Sequence, residues 1–368
     1  MSMNRRARAH EIGVKIGSMK TGRLNAITDV EGVGVGHATL IRGEGPLIVG
    51  EGPVRTGVTA IVPHQGNPYE EKVTAAVDVF NAYGKTTGLL QVMHMGVIET
   101  PIMLTDTLNT WIVANAVLDY FRERYDTTPR SLNPVVGETN GGYLNDSFGR
   151  HVRKEHVFEA IDRARSPAGR GPVTEGNVGG GTPMTGYGFK GGIGTSSRIH
   201  EGITVGALVQ LNCGRRQDLS IDGVPVGREA KPPPAEGKEP GNSIMMILAT
   251  DLALTSRQLW KVAKRAVLGL ARTGSYGDVS SGDFVIAFTT GRKSPEDTEG
   301  TRPHQNSRSF DEEFLAPVYR MAADSTEEAI INALFKAETM VGIDGHTRYE
   351  LPLDQVEEIF RKHGRTLG

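Results

Sequence analysis

Apolar positions along the chain follow two periods. Up to about residue 70, short β-type runs alternate with glycine or proline, and NAITDV (25–30), VGVGHATLI (33–41) and GVTAIVPH (57–64) read as strands and hairpins. From Asp106 to Arg124 the period lengthens. Leu108, Trp111, Ile112, Ala116 and Phe121 recur at three- and four-residue spacing, which predicts a helix with one buried stripe. A loop carrying NPVVGETNGGYLND follows, and then HVFEAIDRAR (156–165) as a shorter amphipathic helix.

The second half contains longer apolar runs. ITVGALVQLNCG (203–214) and SIMMILATD (243–251) are continuous and rich in branched residues, the pattern of strands covered on both faces. SRQLWKVAKRAVLGLART (256–273) is a helix capped by Thr255 or Ser256 and stopped at Gly274, and DFVIAFTT (283–290) is another strand. STEEAIINALFKAETM (325–340) opens with the capping-box pair Ser325 and Glu328, and LDQVEEIFRKHG (353–364) is a helix whose basic end suits its dipole. Strands and helices come in mixed runs, which favours packed sheets with helices outside over a doubly wound sheet. Only Arg215 to Asn242 lacks a period. With Pro232, Pro233, Pro234 and Pro240 in it, this stretch reads as a flexible linker.

Composition narrows the functions open to such a chain. Its 368 residues carry 41 basic and 43 acidic side chains, a formal charge of −2, so no global field recruits nucleic acid or an anionic membrane. Small or neutral partners fit better. Cys213 is the single cysteine, which excludes an internal disulfide and an all-cysteine metal site and suits a reducing compartment. The basic N-terminus leads into no apolar signal segment, and no run reaches the ~18 apolar residues of a membrane span, so a cytoplasmic location is expected. The 47 glycines cluster in loops such as GVGVG (32–36) and GNVGGGTPMTGYGFKGGIG (176–194), where main chain must turn tightly or approach something closely.

Familiar catalytic motifs fail on inspection. GKTTG (84–88) lacks the upstream glycine of a phosphate loop, having Val79 there, and Gly32, Gly34 and Gly36 have no helix pattern behind them. The histidines form no HxH or HxxxH pair, so no metal site is expected. The nucleophile elbow G-x-S-x-G is absent, since Gly241-Asn242-Ser243-Ile244-Met245 lacks its last glycine.

One position suggests a different chemistry. Ser243 stands where the proline-rich linker meets a buried strand. A serine held there, with a mobile peptide before it, can attack the preceding carbonyl, form an ester that water cleaves, and become a new N-terminus. Its freed α-amine, of unperturbed pKa about 7.7–8.0, could then assist the same hydroxyl in turnover. On position alone, a serine that merely caps the strand edge is the better reading.

Longer segments favour the first reading. GRLNAITDVEGVGVGH (22–37), VVGETNGGYLND (135–146), GNVGGGTPMTGYGFKGGIGTSSR (176–198), VQLNCG (209–214), GNSIMMILATD (241–251) and LARTGSYGDVSSGD (270–283) resemble, in order and nearly end to end, the self-processing aminopeptidases of peptidase family S58. That family includes the L-aminopeptidase/D-esterase/amidase and the β-peptidyl aminopeptidases.

The resemblance implies an α/β four-layer αββα sandwich, like N-terminal-nucleophile hydrolases in architecture but with different connectivity. It implies one domain, cut between Asn242 and Ser243 into residues 1–242 and 243–368, and a tetramer of cut heterodimers. It assigns Ser243 as nucleophile, Asn212 as oxyanion donor, Ser281 and Asp283 as the serine and acid beside the nucleophile, and Tyr143 as a pocket residue near the scissile carbonyl. Glu138 is a candidate to pair with the substrate ammonium. Some relatives carry Glu at the acid position, so the reach of the shorter Asp283 is open. The expected substrates are small peptides, amides or esters, with no cofactor. Two alternatives stand: an acyl transferase like the ornithine acetyltransferases, which share the fold but cut before threonine, and an uncut binding protein on the same scaffold.

Overall fold

The computed structural model describes residues 6–125, 127–234, 242–295, 310–365 and 367. In chain order its main elements begin with β1 (Gly34–Arg42), β2 (Val54–Val62), β3 (Glu71–Ala82), α1 (Leu89–Met95), β4 (Val97–Ile98) and β5 (Ile102–Asp106). Next come α2 (Thr110–Arg124), β6 (Val135–Thr139), α3 (Lys154–Arg165), the short β7 (Thr185–Gly186) and β8 (Phe189–Lys190), β9 (Gly192–His200) and β10 (Ile203–Asn212). The chain continues through α4 (Val226–Glu229), β11 (Ser243–Thr250), α5 (Ser256–Arg272), β12 (Gly282–Pro295), α6 (Glu312–Lys336) and α7 (Leu353–Lys362).

Two sheets result, ordered β1-β2-β5-β6 and β4-β3-β12-β11-β10-β9. Neighbours are antiparallel except β5/β6 and β11/β12. A parallel pair needs a crossover, and α2 and α5 supply the two. The side chains of β11 explain why it reads as an unbroken apolar run. Ile244, Met246 and Leu248 pack into a core with α5, α6 and α7, while Met245, Ile247 and Ala249 pack into a second core against the other sheet. A third core joins the outer face of the four-stranded sheet, through Val58, Ala60, Met103 and Val136, to α2 and α3. Three apolar layers between four layers of structure make the expected αββα sandwich. Close approach is built in at Gly194, where a Cβ would lie 2.0 Å from the Ala329 carbonyl, so α6 rests directly on β9.

Several local expectations need correction. NAITDV is no strand: Ile27–Asp29 form a 3-10 turn. The helix at 106–124 starts later and buries Val113, Ala116, Val117, Tyr120 and Phe121, while Trp111 is 59% exposed. Ala116 and Phe121 lie on the buried stripe as expected, but Leu108 and Ile112 are only half-buried, and Val113, Val117 and Tyr120 complete the stripe in place of Trp111. The loop at 133–146 contains β6, and β3 to β5 lie in a stretch where no element is expected. Ser325 caps nothing, because α6 begins at Glu312 with Asp311 as its cap and carries Ser325 and Glu328 buried in its middle.

The linker is only partly one. Leu219, Ile221, Val224, Val226 and Ala230 join the helical core, so residues 219–230 are packed. Residues 235–241, with Pro240 and Gly241, lie outside the described residues. Thr255 does cap α5: its hydroxyl accepts the Gln258 N–H, and Gln258 Oε1 in turn accepts the Thr255 N–H.

Candidate active site

The heads of β11 and β12 and the tail of β10 converge on Ser243. It is the first residue of β11, directly opposite Asn212 at the end of β10, while Ile244 pairs with Asp283 at the start of β12. Alternation puts Ser243 on the face of Met245 and Ile247, which looks between the sheets, and puts Asn212 there with Leu208 and Gln210. Ser243 is partly exposed and Ile244 fully buried. The hydroxyl is therefore held rigidly yet reachable. Its oxygen accepts the Gly282 N–H at 3.1 Å, and Asn242 donates from Nδ2 to the Ser280 hydroxyl at 2.8 Å. The peptide between Asn242 and Ser243 is thus pinned on both sides by residues 280–282.

Asn212, 1% exposed, has a defined amide orientation. Oδ1 accepts the Thr185 N–H at 2.8 Å, and Nδ2 donates to the Asn140 carbonyl at 3.0 Å. Nearby, Gln210 donates from Nε2 to the Thr139 hydroxyl and the Thr105 carbonyl, at 2.8 and 2.9 Å. These bonds stitch the end of β6 across the sandwich to β10. The glycines of the 176–194 loop make that possible, since at Gly180 a Cβ would sit 2.2 Å from Gln210 Oε1. Glu138, at the same end of β6, is buried; Oε1 accepts the Lys85 N–H at 2.7 Å and Oε2 accepts the Thr107 hydroxyl. Burial raises its pKa, against the pull of Thr107 and Lys85.

Ser281 and Asp283 form a buried pair, with the Ser281 hydroxyl donating to Oδ1 at 2.6 Å. Asp283 is pushed up to about 6 by burial, partly offset by Ser281 and the Ile244 N–H. Its Oδ2 has no hydrogen-bond partner of ordinary geometry among the described residues. The register with Ile244 places Asp283 on the helix-covered face of the sheet, across from the Ser243 hydroxyl. There it faces Cys213, whose thiol is pushed far up by burial and by the Asp283 charge. Gly282, between the two acting residues, is the direct link from this pair to Ser243. A cavity of about 420 Å³ opens beside the junction, lined by Asn242, Ser281, Cys213 and Tyr276 and bordered by the Arg215–Asp278 ion pair.

Tyr143 is held by the chain's C-terminal region. Its ring stacks on His346, with centroids 4.5 Å apart and planes at 5°, and its phenol accepts from Arg348 at 3.1 Å. The Arg348 guanidinium also lies 3.9 Å from the ring centroid. The structure thus gathers Ser243, Asn212, Ser281 and Asp283 at one strand end, with Glu138 on the strand stitched to it and Tyr143 on the loop that starts at Asn140. Sequence reasoning missed the Gly282 N–H, the Thr185 N–H and Arg348. The first two are main-chain donors that no side-chain motif could reveal.

Among the described residues, no group of three His, Cys, Asp or Glu side chains stands where it could hold a metal ion, and no helix is long and apolar enough to cross a membrane.

A serine at the head of a central strand in an αββα sandwich, opposite a buried asparagine, defines a hydrolase of N-terminal-nucleophile-like architecture. Comparison with known proteins agrees. The model of Peptidase family S58 matches residues 25–348. The β-peptidyl aminopeptidase BapA of Sphingosinicella microcystinivorans is 40% identical over 97% of this chain and 93% of its own. Among solved structures, the PH0078 protein of Pyrococcus horikoshii is 50% identical, with a TM-score of 0.90 over 98% of this chain and 100% of that one. The L-aminopeptidase D-Ala-esterase/amidase of Ochrobactrum anthropi, described as a prototype for the serine aminopeptidases, is 39% identical, with a TM-score of 0.88 over 98% of this chain and 99% of that one. The chain belongs to peptidase family S58 and is an aminopeptidase.

Proposed function

We propose that the chain severs its own Asn242–Ser243 peptide and then uses Ser243 to release small N-terminal residues from short peptides, amides or esters. In the first step Ser243 Oγ attacks the Asn242 carbonyl carbon, the C–N bond breaks, and the hydroxyl proton passes to the departing amine. Water then cleaves the resulting ester, leaving a carboxylate on Asn242 and a free hydroxyl and amine on Ser243. In turnover the same oxygen attacks a substrate carbonyl. The α-amine takes up the hydroxyl proton and returns it to the leaving group, and water resolves the acyl-enzyme.

Asn212 presents its amide N–H to the oxyanion in both reactions. Glu138 receives the substrate ammonium, Tyr143 borders the pocket, and Ser281 with Asp283 adjusts the protons of the nucleophile. The observation that carries this reading is the hydrogen bond from Gly282 N–H to Ser243 Oγ, at a strand head facing Asn212. It holds the hydroxyl beside its own preceding peptide, an arrangement that a mere strand-edge serine does not need. The relatives' names support the substrate class, and a tetramer of cut heterodimers is the assembly we infer.

A denaturing gel and intact mass test the cut, and aminoacyl-nitroanilides of Gly, L-Ala, D-Ala, β-Ala and a bulky residue test turnover. Wild type should run as two fragments and hydrolyse the small substrates. Ser243→Ala should stay near 39.6 kDa and lose at least about 10⁴-fold in rate. An uncut wild type with full activity, or an active alanine variant, would sink the reading.

A further inference from the structure

Lys190 is fully buried, and its Nζ meets three carbonyl oxygens, those of Gly191 at 2.7 Å, Met184 at 2.8 Å and Gly181 at 3.3 Å. No carboxylate forms an ion pair with it among the described residues. Burying an ammonium without a counter-ion is costly, and packing alone does not call for it: a methionine would fill the same space without a charge. The ammonium has three N–H donors, and three acceptors surround it.

The middle acceptor explains the arrangement. Met184 C=O and Thr185 N–H belong to one planar trans peptide group, so they point in opposite directions. Lys190 grips the oxygen of that group, and the N–H on its far side donates to Asn212 Oδ1 at 2.8 Å. Gripping one end of a rigid plate fixes the other, and the cation polarises the N–H toward Asn212. Thr185 in turn decides which way round the Asn212 amide lies, with its nitrogen toward Asn140 and away from the loop.

We propose that Lys190 is a positioning residue for this reaction, acting through the Met184–Thr185 peptide to fix which way round the Asn212 amide lies, so that its nitrogen, bonded to Asn140 through one N–H, keeps the other N–H for the reacting carbonyl. The proposal deepens the role given to Asn212 above and rests on it. Burial also pulls the pKa of Lys190 well below the ordinary lysine value, which underlines how much the three carbonyls must supply.

The test is a double-mutant cycle of Lys190→Met and Asn212→Ala, with kcat and KM on a small aminoacyl-nitroanilide measured per folded chain. Cut and uncut chains are quantified on the same samples. Asn212→Ala should lower kcat by about 10²- to 10³-fold. Lys190→Met should lower kcat by at least about tenfold with KM little changed, and should add no further loss on the Asn212→Ala background. Should Lys190→Met fail to fold, Lys190→Leu, which likewise has no N–H donor, carries the same measurement. The proposal is overturned by a folded Lys190 variant with wild-type kcat, by a loss borne by KM, or by losses that simply add. If Asn212→Ala itself turns over normally, it is the role of Asn212 that fails, a separate result.

Discussion

The middle of α6 and the head of β11 both bury ionisable side chains, but they partner them differently. Around α6 each acid has a base beside it: Glu328 with Arg198 at 2.7 Å, Glu175 with Arg8 at 2.9 Å and Asp324 with Arg272 at 2.6 Å. Spare donors are used too, with Arg198 reaching the carbonyls of Ile16 and Ser197 and Asn25 donating to Glu328. At the head of β11, Asp283 has a serine and Lys190 has three carbonyls, and neither has an opposite charge in ion-pair contact among the described residues. A complete ion pair locks an element in place. An acid whose only strong partner is a hydroxyl keeps its proton exchangeable near neutral pH, which chemistry at Ser243 requires.

The largest effect should come from breaking the structural set. Arg198→Met leaves buried Glu328 with only the Asn25 amide and, 3.9 Å away, the His10 ring as partners, a loss of about 3 kcal/mol of stability. Chemical denaturation should show it as a shifted midpoint, and the folded fraction should keep its wild-type kcat. A kcat that collapsed with the fold intact would erase the distinction between the two regions.

A smaller effect comes from Glu175, which is paired yet still pushed up to about 7, because burial outweighs the attraction of Arg8. The sign follows from linkage. The folded carboxyl holds its proton more tightly than the unfolded one, so its contribution to stability is fullest at low pH and is lost as pH rises toward 7. Glu175→Gln removes that loss. The melting temperature of wild type minus that of the variant should therefore be larger at pH 5 than at pH 8. A difference that grew with pH would mean that Arg8 dominates and that the α6 set is fully paired in the electrostatic sense as well.

These contrasts also explain what was legible in the sequence. The two-faced strand at 243–250 and the amphipathic α5 announce themselves, because their apolar periods match how they are buried. The β3 strand does not: Ala75, Ala76 and Asp78 interrupt its branched residues. The α6 helix is misread for a related reason, since Asp324 to Glu328 look like a polar helix start and are in fact buried and paired. For residues 219–230 the apolar positions are spaced irregularly, and only the core they complete shows that they are packed. In the site, Ser243, Asn212, Ser281 and Asp283 were found through resemblance, and the fold brings them together. The main-chain donors that hold them, and the Lys190 contacts behind one of these, exist only once the chain is folded.

The head of β11 admits the finest test, because the pKa of Asp283 in the uncut chain, pushed up to about 6, predicts a visible titration. If the ionised Asp283–Ser281 pair is the form that holds Gly282 against Ser243 for attack, cutting of the precursor should accelerate by about tenfold per pH unit below 6 and level off above it. Asp283→Asn keeps an acceptor for the Ser281 hydroxyl but cannot ionise. It should cut slowly at every pH, with the limb near 6 gone. Stability supplies the control: an acid with a raised folded pKa weakens the fold as pH climbs from about 4 to 6, so the asparagine variant should be no less stable than wild type at pH 7. A variant that cut normally with its limb in place would move the titrating group elsewhere, with Glu138, also raised by burial and also lacking an ion-pair partner of ordinary distance among the described residues, the next to substitute.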